Sequence, residues 1–407
     1  MPESLKPADA AQLTEAVAWA AAEGRTLEVV GAGSKRRLGR PVAAEYRLEL
    51  SALSGVSLYE PEELVLSAGA ATPLKEIEGL LAQHRQQLAF EPADYGRLLG
   101  GPAEAQTLGG VLAANVSGSR RIKAGAARDH FLGFKAVSGR GEAIKSGGRV
   151  VKNVTGYDLS KLMAGSHGTL AVLAEVTVKV LPAPEKLRTV LVYAQSDDDG
   201  IAVLARAAGS PHEVSGLAHL RAETAMRSSV DYVSGTASSV TAIRVEGPGP
   251  SVEHRCAALK AMFGGAATVE ELHGRRSAAF WREVTDVAGL LPAAGGLLWK
   301  LSLTPSEAPR ISRTIREALG GEAFYDWAGG LVWLWLPERT ADAGHAVVRG
   351  AVAGHGHATL LRAPEAVRAR VPVFQPEAPG QAALATRIKQ SFDPLGILNP
   401  GRMHEGR

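Results

Sequence analysis

The sequence is poor in cysteine, in aromatic residues and in net charge. Its 407 residues contain one cysteine, Cys256, 5% aromatic residues and a formal net charge of +3. A lone cysteine excludes an internal disulfide and a cysteine-rich zinc or iron–sulfur centre within this chain, and it is typical of a reducing compartment. Because nucleic-acid binding relies on basic surfaces and stacked aromatic rings, the composition also argues against nucleic acid as a partner.

Long apolar runs are missing as well. The stretch "MPESLKPADAAQL" lacks the apolar core of a secretion signal. The apolar stretch "TLAVLAEVTVKVLP" is interrupted by Glu175 and Lys179 and is shorter than a membrane helix requires. The sequence therefore predicts a cytoplasmic protein, which would reach the inner face of a membrane only peripherally, through a partner.

The pattern of helices and strands changes near the middle of the chain. A helix in "ADAAQLTEAVAWAAAEG", a strand in "RTLEVV" and a hairpin in "LGFKAVSGRGEAIKSGG" predict an α+β first part with strands in both directions. The segment "PAPEKL", around Pro182 and Pro184, indicates a domain junction. Beyond it, strands alternate with alanine-rich helices, which favours a second, antiparallel sheet with helices packed on one face.

Glycine is abundant, and it is concentrated in loops. The first loop, "VVGAGSKRRLG", begins like the dinucleotide fingerprint G-x-G-x-x-G, but Arg36 takes the place of the third glycine. Gly39 and Pro41 follow, so no crossover helix is expected and a Rossmann fold is disfavoured. Backbone N–H groups together with Ser34 and Lys35 can surround a diphosphate. A tight turn between two strands is the alternative.

Two further loops have the same character. The segment "TLGGVLAANVSG" contains Gly109 and Gly110, and "GYDLSKLMAGSHGTL" contains Gly165 and Gly168 directly before a strand. Glycine at such places lets a ligand or another backbone approach closely. Three such loops predict one elongated ligand, and a nucleotide cofactor with a diphosphate and a flat ring meets that demand.

The order of these loops resembles the FAD-binding domain of the vanillyl-alcohol oxidase/PCMH flavoprotein family, and within it most of all the FAD-binding subunits of bacterial glycolate oxidases. The similarity continues through "LLWKLSL", "DWAGGLVWLWLP" and the tail "FDPLGILNPGRM". It implies an α+β fold with a PCMH-type FAD-binding domain of two α+β subdomains at 1–182. It also implies a cap of an antiparallel sheet plus helices at 183–362, for substrate or subunit contact, and a C-terminal segment at 363–407 that returns to the FAD domain.

The resemblance also assigns the cofactor contacts. The first loop and the start of the second would hold the diphosphate, and the later residues would follow the ribityl chain and the flavin ring. Relatives that attach FAD covalently use a histidine in the first loop; this loop has none, so non-covalent FAD and no metal are expected. The predicted FAD contacts are Gly31, Ala32, Gly33, Ser34, Lys35, Thr107, Leu108, Gly109, Gly110, Asn115, Ser117, Gly118, Gly168, Thr169 and Leu170.

Four side chains are candidates for chemistry. His167 adjoins the predicted flavin loop and could handle a proton, while Lys300 in "LLWKLSL" could anchor a carboxylate or be a solvated strand lysine. His355 and His357 lie at strand spacing, as a base, a metal site or ordinary hydrogen-bonded histidines. Related D-2-hydroxyacid dehydrogenases carry an H-x-G-D-G-N-x-H signature that this sequence lacks. Catalysis by this chain alone is therefore an open question.

A basic segment runs from Arg120 to Lys152, with nine lysine or arginine residues against two acidic ones. It could compensate the FAD diphosphate and an anionic substrate, dock a partner subunit, or form a solvated hairpin.

The function implied by the resemblance is that of an FAD-binding subunit in a complex that oxidises glycolate, a 2-hydroxy acid, to glyoxylate. Its expected partners are a sister FAD subunit and an iron–sulfur subunit that carries the electrons onward. Two alternatives stay open. The chain could be a non-catalytic flavin relay or assembly subunit, with the chemistry in the sister subunit, or a stand-alone FAD oxidase of another 2-hydroxy acid or a polyol.

Overall fold

The chain forms two compact units. The computed structural model describes residues 3–148, 156–290, 295–339 and 342–406. The first unit comprises Met1–Ser117, Gly125–Ala183 and Pro372–Arg407, and the second unit comprises Gly118–Ala124 and Pro184–Val371. The chain therefore leaves the first unit for a short excursion after Ser117 and returns to it for its C-terminal segment.

Helices and strands alternate along both units. The strands are β1 (Glu3–Leu5), β2 (Leu27–Val30), β3 (Tyr46–Glu49), β4 (Val56–Glu60), β5 (Val65–Gly69), β6 (Gln86–Gln87), β7 (Phe131–Ser138), β8 (Ala143–Gly147), β9 (Ala171–Lys179), β10 (Leu181–Pro182), β11 (Lys186–Tyr193), β12 (Gly216–Leu220), β13 (Val240–Gly247), β14 (Val269–His273), β15 (Leu297–Leu303), β16 (Glu322–Asp326), β17 (Leu331–Leu336) and β18 (Gly356–Arg362). The α-helices are α1 (Ala10–Glu23), α2 (Leu74–Gln83), α3 (Tyr95–Leu98), α4 (Leu108–Ala113), α5 (Arg121–Ala124), α6 (Ala127–His130), α7 (Leu159–Met163), α8 (Asp197–Ala208), α9 (Ala222–Ala225), α10 (Asp231–Ser234), α11 (Gly249–Phe263), α12 (Gly274–Thr285), α13 (Ala308–Leu319), α14 (His345–Val352), α15 (Glu365–Arg370) and α16 (Pro379–Phe392).

The first unit contains a parallel sheet and an antiparallel sheet. The parallel sheet has the order β1-β3-β2, and the antiparallel sheet has the order β4-β5-β9-β7-β8. Helix α1 begins at Asp9, whose carboxylate accepts hydrogen bonds from two backbone N–H groups, and ends at Gly24 in the left-handed conformation. Its residues Leu13, Val17 and Ala20 follow helical spacing and are completely buried in the core.

The C-terminal segment completes the parallel sheet of the first unit. Leu398 forms a parallel bridge with Leu27 of β2, and the Leu27 N–H donates to the carbonyl of Ile397. Ile397 and Leu398 are buried with Leu13 and Leu48 in the same hydrophobic cluster. This return brings residues near position 399 to the end of β2, where the first glycine loop begins.

The second unit is built on one antiparallel sheet with the order β14-β11-β13-β12-β16-β17-β15-β18. Strand β15, next to the edge strand β18, alternates: Trp299 and Leu301 are completely buried, whereas Lys300 and Ser302 are partly accessible. Helices α13 and α14 pack on β17 and β18, and the Trp299 indole N–H donates to the carbonyl of Ala343, just before α14. Lys300 therefore points to the opposite face of the sheet.

The basic segment is divided between the two units. Arg120, Arg121 and Lys123 belong to the second unit, while Lys135 belongs to β7 of the first unit and pairs with Glu175. Arg149 and Lys152 lie outside the described residues. In the part of the chain that the structure describes, no helix is both long and apolar enough to cross a bilayer.

Candidate functional site

The first glycine loop leaves β2 and folds into tight turns. Gly33 has φ of 77°, the Arg36 N–H donates to the Gly33 carbonyl, and the Leu38 N–H donates to the Lys35 carbonyl. No helix follows the loop, as the positions of Gly39 and Pro41 predicted. The loop therefore presents backbone N–H groups without a helix dipole behind them.

The second glycine loop touches the first at Thr107. The Thr107 side chain caps α4 by accepting a hydrogen bond from the Gly110 N–H at 3.3 Å. A Cβ on Gly31 would lie 3.0 Å from the Thr107 hydroxyl oxygen, and one on Gly110 would lie 3.2 Å from it. Since real side chains rarely come that close, glycine at these two positions lets the loops approach each other.

The third glycine loop is held against the other two. His167 and Gly168 both have positive φ, 52° and 70°. The His167 N–H donates to the carbonyl of Ala113 at the end of α4. Asn399 connects this loop to β2: its amide nitrogen donates to the His167 carbonyl at 2.9 Å, and its amide oxygen accepts from the Val29 N–H at 2.9 Å.

The three loops and the C-terminal segment line one cleft in the first unit. It contains about 780 Å³ of empty space, part of it open to solvent. Besides the loops, Asn399 and Arg402 from the C-terminal segment line it. The predicted FAD contacts among the lining residues are Gly31, Ala32, Gly33, Ser34, Lys35, Thr107, Gly109, Gly110 and Gly168.

Lys35 gives the cleft a cation that is suited to a diphosphate. Its ammonium lies 3.2 Å from the Gln106 side-chain oxygen and 3.5 Å from the Ser34 hydroxyl. Within the described ranges, no carboxylate forms an ion pair with it. Burial lowers the pKa of Lys35 to about 8, although the charge of Asp94 acts in the opposite direction. A buried ammonium without a carboxylate is costly unless an anion compensates it, so the cleft fits the diphosphate of FAD.

His167 lines the same cleft in its neutral form. Burial and the nearby charge of Arg402 lower the pKa of His167 to about 3. The ring centroid lies 5.0 Å from that of Phe374, in the C-terminal segment. A neutral imidazole can donate or accept one hydrogen bond, but it will not act as a cationic acid between pH 5 and 8.

The other predicted FAD contacts have structural partners and do not line the cleft. Leu108 is completely buried in the core. The side chains of Asn115 and Ser117 accept hydrogen bonds from the backbone N–H groups of Arg128 and Ala127. Gly118 belongs to the second unit, and its carbonyl accepts from an indole N–H. Thr169 donates to the Ser166 carbonyl, and Thr169 and Leu170 are mostly buried beside the C-terminal helix α16.

The remaining catalytic candidates lie in the second unit. Lys300 stands opposite Thr359 of β18, and His357 stands opposite Ser302 of β15, so Lys300 and His357 share a face of the sheet. The pKa of His357 is lowered by burial and by the charges of Lys300 and Arg121. His355 immediately precedes β18, and its ring lies 4.0 Å from Glu307 and 3.3 Å from Arg310. His355 and His357 thus have different neighbours. No group of three or more metal-binding side chains occurs among the described residues.

The tail contributed residues that the motif analysis did not select. Asn399 and Arg402 line the cleft, and Lys389 donates to the Thr169 carbonyl at 2.7 Å and pairs with Asp393. They stand more than 200 positions from the loops that they contact, and "ILNPGRM" has no spacing typical of a binding motif. The resemblance of the tail "FDPLGILNPGRM" to the family is the one signal in the sequence that points to this segment.

Comparisons with known proteins identify the family of the chain. A family described as an FAD binding domain matches residues 4–147. Glycolate oxidase subunit GlcE of Escherichia coli (strain K12) is 34% identical over 394 residues, 96% of this chain and 96% of that protein. Glycolate oxidase subunit GlcD of Bacillus subtilis (strain 168) is 40% identical over 92 residues, 23% of this chain and 20% of that protein.

The fold has a solved counterpart. The crystal structure of p-cresol methylhydroxylase with substrate bound is similar with a TM-score of 0.72 at 12% identity, covering 99% of this chain and 88% of that chain. The prediction of an α+β fold with a PCMH-type FAD-binding domain, an antiparallel sheet with helices and a returning C-terminal tail is confirmed.

Proposed function

Because the chain belongs to the family of the glycolate oxidase subunit GlcE and has an FAD-binding domain, we propose that it is the FAD-binding subunit of a glycolate oxidase complex. In this role it takes part in oxidising glycolate, a 2-hydroxy acid with a CH–OH donor, to glyoxylate. Lys35 is the single observation that carries the cofactor assignment, because its ammonium lies between glycine loops without a carboxylate partner among the described residues.

Different residues of the cleft bind different parts of FAD. When bound, FAD supplies a two-electron acceptor for the hydride of an alcohol carbon. The N–H groups of the first loop and the ammonium of Lys35 hold the diphosphate, and Thr107 fixes the second loop beside it. Gly168 has a positive φ, and a Cβ on it would lie 2.8 Å from the side-chain nitrogen of Asn399, so glycine lets the third loop lie against the C-terminal segment, where we place the flavin ring.

The attachment of FAD is proposed to be non-covalent. The first loop has no histidine, and Cys256 is buried in α11 of the second unit. His167 is the histidine that lines the cleft, and its ring is packed beside Phe374. Precipitation of the protein with acid should release all of its flavin into the supernatant. Flavin that stays with the precipitate would contradict this proposal.

A flavin relay is the second candidate function, and one observation favours it. Lys35 is assigned to the diphosphate; of the other described residues that line the cleft, His167 is the candidate general base, and its pKa of about 3 makes it a weak one. In this alternative a sister FAD subunit oxidises the substrate. In either case an iron–sulfur subunit is proposed to take the electrons, because a chain with one cysteine cannot hold such clusters itself.

The visible spectrum of the full chain tests both functions. The chain is reconstituted with FAD, freed of excess cofactor and mixed with glycolate without oxygen. A flavin band that bleaches supports oxidation by this chain. A flavin band that persists in the isolated chain, but bleaches when the sister subunit is added, supports the relay. Failure to retain any FAD would contradict both.

A further inference from the structure

The second unit contains a group of cationic and aromatic side chains on and beside one face of its sheet, and their exposure ranges from the buried Trp333 to the exposed His357. We call Lys300, Arg121, His357, Trp327 and Trp333 the Lys300 cluster. Trp333 stands opposite Lys300 in the register of β17 and β15. The Lys300 ammonium lies 5.1 Å from the ring centroid of Trp327 and 5.6 Å from that of Trp333. Both distances are those of cation–π contacts.

The Lys300 ammonium has no hydrogen-bond acceptor in the described ranges. Its interactions there are the two tryptophan rings and the more distant charges of Arg121 and Asp326. Asp326 itself is 2% exposed, and its carboxylate accepts hydrogen bonds from the Ser119 hydroxyl and the Trp327 N–H, both at 2.7 Å. An ammonium ion can donate three hydrogen bonds. Lys300 therefore has donor capacity that the described residues do not use.

Two other groups that can carry a positive charge surround it. The Arg121 guanidinium lies 4.5 Å from the centroid of Trp327, and its charge lowers the pKa of both Lys300 and His357. The preceding residue, Arg120, forms a bidentate ion pair with Glu246 of β13 at 3.0 and 2.8 Å. This salt bridge anchors the backbone next to Arg121.

The same face of the sheet offers neutral donors and access. Ser302 and Thr359 are cross-strand neighbours of His357 and Lys300, so their hydroxyl groups lie on the same face. Both are partly accessible, and Arg121 and His357 are exposed. A small ligand can therefore reach the Lys300 cluster and find both charged and neutral donors.

Backbone strain is concentrated at the aromatic part of the cluster. Trp327, Ala328 and Gly329 have consecutive positive φ values of 51°, 59° and 93°. Two non-glycine residues in the left-handed region are costly, and such conformations are concentrated at binding and catalytic sites. The turn is held by the Asp326 cap and by the indole N–H of Trp327, which donates to the Gly118 carbonyl at 3.1 Å.

We propose that the Lys300 cluster is a binding subsite for the carboxylate group of a small organic acid, with the Lys300 ammonium as its main contact. Arg121 strengthens the attraction, and the tryptophan rings exclude water from one side of the carboxylate. The identity of the acid, a short 2-hydroxy acid such as glycolate, rests on the proposed function. The existence of the carboxylate subsite does not.

Calorimetric titration of the FAD-loaded full chain tests the subsite, with glycolate and with its neutral counterpart glycolamide as probes. Glycolate should bind at least about tenfold more tightly than glycolamide, because only the acid offers a charged acceptor. The Lys300→Met variant should lose at least about tenfold in affinity for glycolate and little for glycolamide. Lys300→Arg, which keeps the charge, should recover part of that loss.

The matched control is Lys186→Met, which removes an exposed lysine from β11 of the same sheet and should bind glycolate as the natural chain does. Equal affinity of Lys300→Met and the natural chain for glycolate would overturn the inference, and so would equal binding of glycolate and glycolamide. The proposed function is judged separately by flavin bleaching. Binding of glycolate that depends on Lys300 without bleaching would support the subsite and favour the relay.

Discussion

At the scale of single residues, Lys35 and Lys300 indicate where this chain binds anions. Lys35 and Lys300 both have a pKa lowered to about 8, in each case mainly because burial disfavours the ammonium. Neither forms an ion pair with a carboxylate in the described residues. In the unfolded chain their pKa values are near 10.5, so the unfolded state binds more protons between pH 8 and 10.5. Below pH 8, both lysines thus lower the free energy of unfolding of the ligand-free protein. Such a cost is expected if each lysine binds an anion.

The Lys35→Met variant should bind FAD at least about tenfold more weakly, because one charge-assisted contact to the diphosphate is lost. The ligand-free variant should be no less stable than the natural chain, since a poorly compensated ammonium has been removed. FAD affinity is measured by quenching of flavin fluorescence, and stability by thermal unfolding. The control is Lys75→Met, an exposed lysine that pairs with Glu104; it should not change FAD affinity.

FAD affinity should also depend on pH through Lys35. As the pH rises through about 8, the free protein loses the Lys35 proton, and binding weakens because the ammonium must be restored. Lys35→Arg stays charged in this range and should show a flatter profile between pH 7 and 10. If the natural chain and the Lys35→Arg variant show the same steep pH profile, the pH dependence of FAD affinity comes from another group.

At the scale of structural elements, the Asn399 side chain connects two segments that line the cleft, the end of β2 and the third glycine loop. Its side chain bonds the end of β2 through Val29 and the third glycine loop through His167. The Asn399→Ala variant leaves a donor and an acceptor without partners, which should cost about 2 kcal/mol in the free energy of unfolding. FAD should dissociate faster as well, because the third loop is no longer fixed. Urea unfolding and flavin release measure the two effects.

An aspartate at position 399 separates the two hydrogen bonds. Asn399→Asp keeps an acceptor for the Val29 N–H but places a negative charge against the His167 carbonyl. Its free energy of unfolding and its retention of FAD should therefore be no higher than those of Asn399→Ala. Full stability and normal FAD retention in both variants would show that the loop is positioned by other contacts.

The short second-unit segment around α5 depends on a buried ion pair. Burial acts to raise the pKa of Glu246, but the charges of Arg244 and Arg120 and the hydrogen bonds from Arg120 and Ser215 prevail and lower it to about 2. The carboxyl of Glu246 therefore contributes stability above its ordinary pKa of 4.5, and this contribution is lost as the pH falls from 4.5 toward 2. Glu246→Gln should lose about 3 kcal/mol at pH 7.

The acid dependence distinguishes this ion pair from a general packing effect. The stability of the Glu246→Gln variant should fall less than that of the natural chain between pH 5 and 3, as followed by urea unfolding midpoints. Glu338→Gln, at an exposed position of the second unit, should keep the natural acid dependence. An unchanged acid dependence in Glu246→Gln would contradict the assignment.

At the scale of the whole molecule, the C-terminal segment is part of the first unit although it follows the second in sequence. Lys389 is 8% exposed and donates to Asp393 and to the carbonyls of Thr169 and Leu398. Lys389→Met leaves the buried Asp393 carboxylate without its counter-ion, which should cost about 3 kcal/mol. A chain that ends at Val371 lacks the whole segment and should not retain FAD.

The controls for this prediction are a chain that ends at Met403, which keeps Asn399 and Arg402, and Lys260→Met at a partly exposed lysine of α11 that pairs with Glu271. Both should retain FAD in gel filtration. Retention of FAD by the chain ending at Val371 would show that the three loops suffice without the tail.

Much of the fold was accessible from local patterns. The helix from Ala10, the hairpin of β7 and β8 and the absence of a helix after the first loop follow from side-chain periodicity and from glycine and proline positions. The cleft was predicted less completely. Gly31 to Lys35 line it. Asn115 and Ser117 were selected for their short polar side chains, but these accept hydrogen bonds from backbone N–H groups in the first turn of α6. A short polar side chain satisfies a backbone group or a ligand equally well, and sequence cannot distinguish the two.

The sequence by itself determined the family, the α+β pattern and the glycine loops, because these depend on spacing and backbone freedom within a few residues. Only the tertiary structure brought Asn399 to Val29 and His167, and Lys300 to Arg121 and His357. These groups are separated by tens to hundreds of positions along the chain. Their meeting is decided by strand order and by the return of the C-terminal segment, and neither leaves a periodic trace in the sequence.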